Sequence, residues 1–278
     1  MNTGRSRTMK IAISNIAWQI SEEASIATLM QELNIKGVEI APTKVWNTPL
    51  SAKDSEISEY RNFWQIRGIQ IVAMQSLIFG RPDLTIFESA EKRKETFEYL
   101  SGMTELGSKL GVQNLVFGSP KNRRVENLDQ KEAEEIATSF FYDIGQVAHQ
   151  NGVMFCIEPN PAVYNCDFIT TSKQALDLVE RVNSNGFGLH LDAAGITLSG
   201  ENIETAINLS GKKLCHFHIS EPHLEPVGAG IVDHPLFAKS LDNQKYKGWK
   251  SIEMKAQSQN SNILNVTKAL KTAIKYYS

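Results

Sequence analysis

Four short apolar runs in the second half of the chain each end on a side chain that can bind a metal. Phe155-Cys156-Ile157 leads into Glu158, and Pro159-Asn160-Pro161 then stops the strand and opens a loop. Residues 186–191 lead into Asp192, 214–217 into His218, and 249–252 into Glu253. All four are nitrogen or oxygen donors. Three carboxylates and one imidazole suit one divalent ion (Mn2+, Mg2+, Co2+ or Zn2+), and the donor set does not choose among these. A lone Glu at a strand end is ordinarily a solvated rim residue. Only as a set do these four point to a metal.

The elements that must position them alternate along the whole chain. Apolar, strand-length runs fall at 11–14, 37–40, 70–74, 114–117, 153–157, 187–191, 213–219 and 249–254. Segments with helical spacing lie between and after them, at about 22–33, 52–67, 86–110, 129–150, 172–182, 201–208, 235–241 and 263–277. Ser21 suits an N-cap, and Gly68 and Gly111 suit helix C-termini. Parallel strands need crossovers, and helices supply them. Eight such units favour a closed (β/α)8 TIM barrel over an open doubly wound sheet, and no G-x-G-x-x-G follows the first strand. In that fold the carboxyl ends of the strands carry the chemistry. The ligand spacings of 34, 26 and 35 residues each equal roughly one β/α unit.

Strand alternation puts Leu214, His216, His218 and Ser220 on one face. His218 lies nearer the loop end and is the better ligand, while His216 reads as a hydrogen-bonded core histidine one layer deeper. Strand ends also nominate Glu39, Gln75 and Asn160, with Ser76 and Ser119 beside them, as contacts for a hydroxyl-rich substrate.

Length and composition set bounds. The 278 residues fit one barrel domain spanning 1–278, with a polar extension over 1–9 and Met9 as an alternative start. Lys and Arg total 29 against 31 acidic residues, a net charge of −2, so no nucleic-acid partner is expected. No apolar stretch is long enough to span a membrane, and no signal peptide is read at the N-terminus. The three cysteines are odd in number and form no C-x-x-C pair, which fits a reducing cytoplasm.

The motifs Ile157-Glu158-Pro159-Asn160, His190-Leu191-Asp192, His216-Phe217-His218-Ile219-Ser220 and Ser251-Ile252-Glu253 resemble those of the xylose isomerase-like TIM-barrel superfamily. They are most similar to the sugar-phosphate isomerase/epimerase branch that includes the ketose 3-epimerases. Pro226-Val227-Gly228-Ala229-Gly230-Ile231-Val232-Asp233 resembles its loop after strand seven, and Tyr246-Lys247-Gly248-Trp249 its entry to strand eight. The resemblance covers essentially residues 10–277. It implies one divalent ion on Glu158, Asp192, His218 and Glu253, with Glu158 and Glu253 as the acid/base pair on opposite faces of a carbohydrate. The expected activity is isomerisation or epimerisation through an enediolate, on a small-molecule carbohydrate substrate, with the homo-oligomeric state left open.

Two positions depart from that pattern. Gly195 stands where ketose 3-epimerases carry a substrate-binding His, and Leu224 where they carry an Arg. His223 or His234 could take over that grip, and either could equally be a solvated loop residue. The departures keep two alternatives open, a dehydratase acting on a keto-sugar or inosose and a non-catalytic sugar-binding barrel. The superfamily's three-zinc DNA repair endonucleases need further ligands on early strands, and Met74-Gln75-Ser76 offers no His.

Overall fold

The computed structural model describes residues 10–126, 128–228, 230–257 and 262–278. The expected extension over 1–9, with Met9, lies outside the described residues. Eight strands form a closed parallel barrel in sequential order: β1 (Ile11–Ser14), β2 (Gly37–Ile40), β3 (Gln70–Met74), β4 (Asn114–Phe117), β5 (Met154–Ile157), β6 (Phe187–Asp192), β7 (Leu214–Ser220) and β8 (Lys250–Glu253). Closure comes from β1 pairing with β8, with Ile11 opposite Lys250 and Ile13 opposite Ile252. The outer layer comprises α1 (Glu23–Glu32), α2 (Asp54–Gln65), α3 (Ala90–Leu110), α4 (Gln130–Gln150), α5 (Ser172–Val182), α6 (Ala193–Leu198), α7 (Ile203–Ser210), α8 (His234–Asn243) and α9 (Asn262–Tyr277). No helix among the described residues is long and apolar enough to cross a membrane.

The main core lies between sheet and helices. Phe117, Phe141 and Phe155 are fully buried there, and the Phe141 and Phe187 rings stack at 4.9 Å. Ala12, Val72, Ala73 and Trp249 form a separate small cluster. Gly37 makes room for that indole, since a Cβ there would come within 2.6 Å of the Trp249 ring.

Helix ends shift by a few residues from the sequence expectation, and two of the differences have a clear local cause. Helix α3 starts at Ala90 rather than near 86, because the Ser89 hydroxyl accepts a hydrogen bond from the Lys92 amide at 3.1 Å and fixes the start. The loop after β6 contains an additional short helix, α6. Asp192 caps it, with Oδ1 accepting from the Gly195 amide at 2.6 Å. The last residue of a strand is thus also the first cap of a helix, which fixes its carboxylate.

Candidate metal centre and active site

Neighbouring strands carry the four candidate ligands to one place. In the register of β6 with β7, Asp192 lies opposite His218. In β7 with β8, His218 lies opposite Ser251 and Ser220 opposite Glu253. Glu158 follows directly on β5. One donor atom from each of Glu158, Asp192, His218 and Glu253 lies within 4.8 Å of every other.

The imidazole is set up as a ligand. His218 Nε2 lies 3.0 Å and 3.2 Å from the two Glu39 carboxylate oxygens. In the neutral imidazole that ligates a metal, an ionised Glu39 holds the proton on Nε2 and leaves the Nδ1 lone pair for the ion. Nδ1 is buried with no hydrogen-bond partner among the described residues and lies 3.4 Å from Glu253 Oε2. Burial favours a neutral Glu39, but the facing His218 and His216 outweigh it and hold the carboxyl well below the usual range.

The carboxylates are crowded. Burial first, and then the Glu253 and Asp192 carboxylates, push Glu158 up to about 8. Burial and Glu253 likewise push Asp192 up to about 6, against the opposing pull of His218 and hydrogen bonds from Ser220 and Gly195. Burial disfavours charge on His218, yet Glu39 and Glu253 hold its pKa well above the ordinary histidine value. Protons therefore balance a negative pocket that a divalent cation would balance better. The orphaned Nδ1, the three carboxylates and the locked tautomer fit such an ion.

Asp192 is doubly held, because Ser220 Oγ donates to its Oδ2 while Oδ1 caps α6. Glu158 packs against Gly118 so closely that an added Cβ there would collide with Glu158 Oε2. The Glu158 amide donates to the Phe117 carbonyl at 3.1 Å.

Above the four groups opens a cavity of about 700 Å³. Gln75, Asn160 and His223 line it, beside Tyr164, Ser220 and the Glu158, Asp192 and Glu253 carboxylates. Gln75 is fixed by its amide donating to Ser14 Oγ at 2.8 Å. The His223 amide donates to Tyr164 Oη at 2.9 Å, and the two rings meet edge to face. Leu224 also lines the wall. Glu39 does not; it is fully buried behind His218. His234 also lies off the wall, between Tyr277 Oη at 2.8 Å and Glu221 Oε1 at 3.2 Å. His216 is fully buried with Nε2 3.3 Å from Glu39 Oε1, so one carboxylate faces two imidazoles.

Three residues near the centre are given no role by the sequence pattern. His190 is fully buried with neither ring nitrogen hydrogen-bonded among the described residues, and its ring centre lies 4.1 Å from that of His218. Burial, then His218 and His216, keep it neutral by lowering its pKa well below the ordinary value. Its position two residues before Asp192 was the one available signal. Tyr164 and Arg123 come from loops whose positions only the fold reveals.

Residues 27–277 match the xylose isomerase-like TIM barrel family. Among characterised relatives, a ketose 3-epimerase of Arthrobacter globiformis is 31% identical over 85 residues, 31% of this chain and 29% of that protein. An inosose isomerase of Bacillus velezensis is 23% identical over 184 residues, 65% of this chain and 61% of that protein. The chain thus spans less than two thirds of the length of either relative. The solved D-psicose 3-epimerase of Clostridium cellulolyticum H10 superposes with a TM-score of 0.79 at 18% identity, over 97% of this chain and 98% of that one. At that identity the superposition speaks to the fold.

Proposed function

This chain belongs to the xylose isomerase-like TIM barrel family, and on that footing we propose that it is a divalent-metal-dependent isomerase or epimerase of a small carbohydrate, polyol-derived ketone or sugar phosphate. The observation that carries the reading is the convergence of Glu158, Asp192, His218 and Glu253 at the floor of the cavity, with the His218 tautomer set by Glu39.

Bound there, the ion supplies Lewis-acid stabilisation of the negative charge that grows on a substrate carbonyl oxygen. The protein's own groups do the rest. Glu158 and Glu253 are the acid/base pair, and Asp192 and His218 serve as ligands only. One glutamate takes the proton from the carbon next to the carbonyl, and the resulting enediolate is reprotonated by the other. Delivery of a proton to the opposite face of the same carbon gives epimerisation, whereas delivery to the former carbonyl carbon, with the neighbouring hydroxyl proton passing to the former carbonyl oxygen, gives isomerisation. Gln75, Asn160 and His223 hold hydroxyls on the cavity wall.

Reconstitution followed by product analysis tests this. Protein stripped with chelator and reloaded with Mn2+ should bind close to one ion per chain. It should then convert at least one ketose, ketose phosphate or inosose to an isomer of equal mass, detected by NMR. A product lighter by one water would instead assign the dehydratase reading. Metal-replete protein that binds such ligands without altering any of them would assign a sugar-binding barrel.

A further inference from the structure

Arg123 closes the short turn Pro120–Arg123 after β4 and is fully buried. Its neighbour Arg124 behaves ordinarily, half exposed and within 4 Å of Glu126 and Asp167. Arg123 turns inward instead. Its Nη2 donates to the Glu158 main-chain carbonyl at 2.7 Å and lies 3.5 Å from Cys166 Sγ. Its Nε and Nη1 find no acceptor among the described residues. No carboxylate forms an ion pair with it there. A buried guanidinium without a paired carboxylate is costly. The Arg123 charge is felt at the Glu158 carboxyl.

Glu158 itself stands one residue past the end of β5. Its amide bonds to Phe117, its carbonyl accepts from Arg123 and, at 3.3 Å, from the Asn160 side chain, and its carboxylate abuts Gly118. Of these holds, the Arg123 bond is the shortest and the only one from a charged donor.

We propose that Arg123 is a positioning residue of the metal centre: by gripping the Glu158 carbonyl it sets where the Glu158 carboxylate stands relative to Asp192, His218 and Glu253. This rests on the reading of those four groups as ligands. A plain staple between the loops after β4 and β5 would hold the fold but leave the ligand geometry alone.

Co2+ separates the two, because its visible d–d bands report coordination geometry independently of turnover. Wild-type protein should bind Co2+ and show those bands. Arg123→Met should bind Co2+ roughly 10–100-fold more weakly with shifted bands, the usual range for removing a group that orients a ligand. Arg123→Lys keeps the charge and a hydrogen-bonding head group but loses the planar guanidinium, and should fall between. A folded Arg123→Met with wild-type affinity and spectrum overturns the proposal. Where Arg123→Met does not fold, Arg123→Lys decides by the same two readouts. Failure of both variants to fold in the presence of Co2+ assigns Arg123 to the fold and also overturns it. Wild-type protein that binds no Co2+ sinks the metal centre itself, an outcome distinct from all of these.

Discussion

Replacing Glu39 by Gln changes one atom's chemistry and almost no volume, yet it should disable a histidine across the barrel. Glu39 faces two imidazoles: Oε2 lies 3.0 Å from His218 Nε2, with which it hydrogen-bonds, and Oε1 lies 3.3 Å from His216 Nε2. A glutamine has one acceptor oxygen and one amino group. Whichever way it turns, one histidine faces a donor. If that is His218, its proton moves to Nδ1 and occupies the lone pair that points at Glu253. If it is His216, a buried donor loses its partner, at about 1–3 kcal/mol of stability. In either orientation the carboxylate charge that raises the basicity of His218 is gone. Loss of such an outer partner typically costs about 10–100-fold in metal affinity, about 1.4–2.7 kcal/mol. Chelator competition with Mn2+ at pH 7.5 measures it, with circular dichroism to confirm the fold. Glu39→Gln that binds Mn2+ within twofold of wild type, folded and at equal Tm, would refute the role given to Glu39.

Other outcomes follow from the same geometry. Glu158 and Asp192 carry raised values of about 8 and about 6 in the metal-free protein, so their contribution to stability is present at low pH and is lost as pH rises through those values. Calorimetry should therefore show metal-free Tm falling as pH rises from about 4 to about 8, with Asp192 contributing up to about 6 and Glu158 up to about 8, and the Tm gain on adding Mn2+ widening over the same window; a gain that shrinks with pH contradicts this. Gly118→Ala should fold, since Gly118 does not adopt a left-handed φ, but it should displace Glu158 and weaken Mn2+ binding about tenfold or more by titration. Unchanged binding in that variant would mean Glu158 is not held where the structure puts it.

The fold was legible because its signals are local and repeated. Each strand is a short apolar run, each crossover has helical spacing, and eight repeats leave few topologies. The four strand-end groups were legible for the same reason, since barrel topology brings consecutive strand ends together whatever their loops do. What resisted reading depends on contacts across the barrel. Glu39 stands at a strand end like the ligands, and position alone suggested a substrate contact. Its partner His218 lies 179 residues away, and no local spacing encodes that. Helix α6 was hidden because Asp192 reads as a ligand, while its second task as an N-cap shows only in three dimensions. Arg123 and Arg124 look alike in sequence, and only the packing of two loops sends one inward and the other to solvent.

Deuterium exchange asks directly whether Glu158 and Glu253 move a carbon-bound proton. Mn2+-loaded wild type, incubated in D2O with a ketose or inosose that it binds, should introduce deuterium at the carbon beside the carbonyl, seen by NMR and mass. Glu253→Gln, shown by elemental analysis to retain its ion, should slow that exchange by roughly 10²–10⁴-fold. Exchange at the wild-type rate in metal-replete Glu253→Gln, or none in wild type with any ketone it binds, would contradict the assignment.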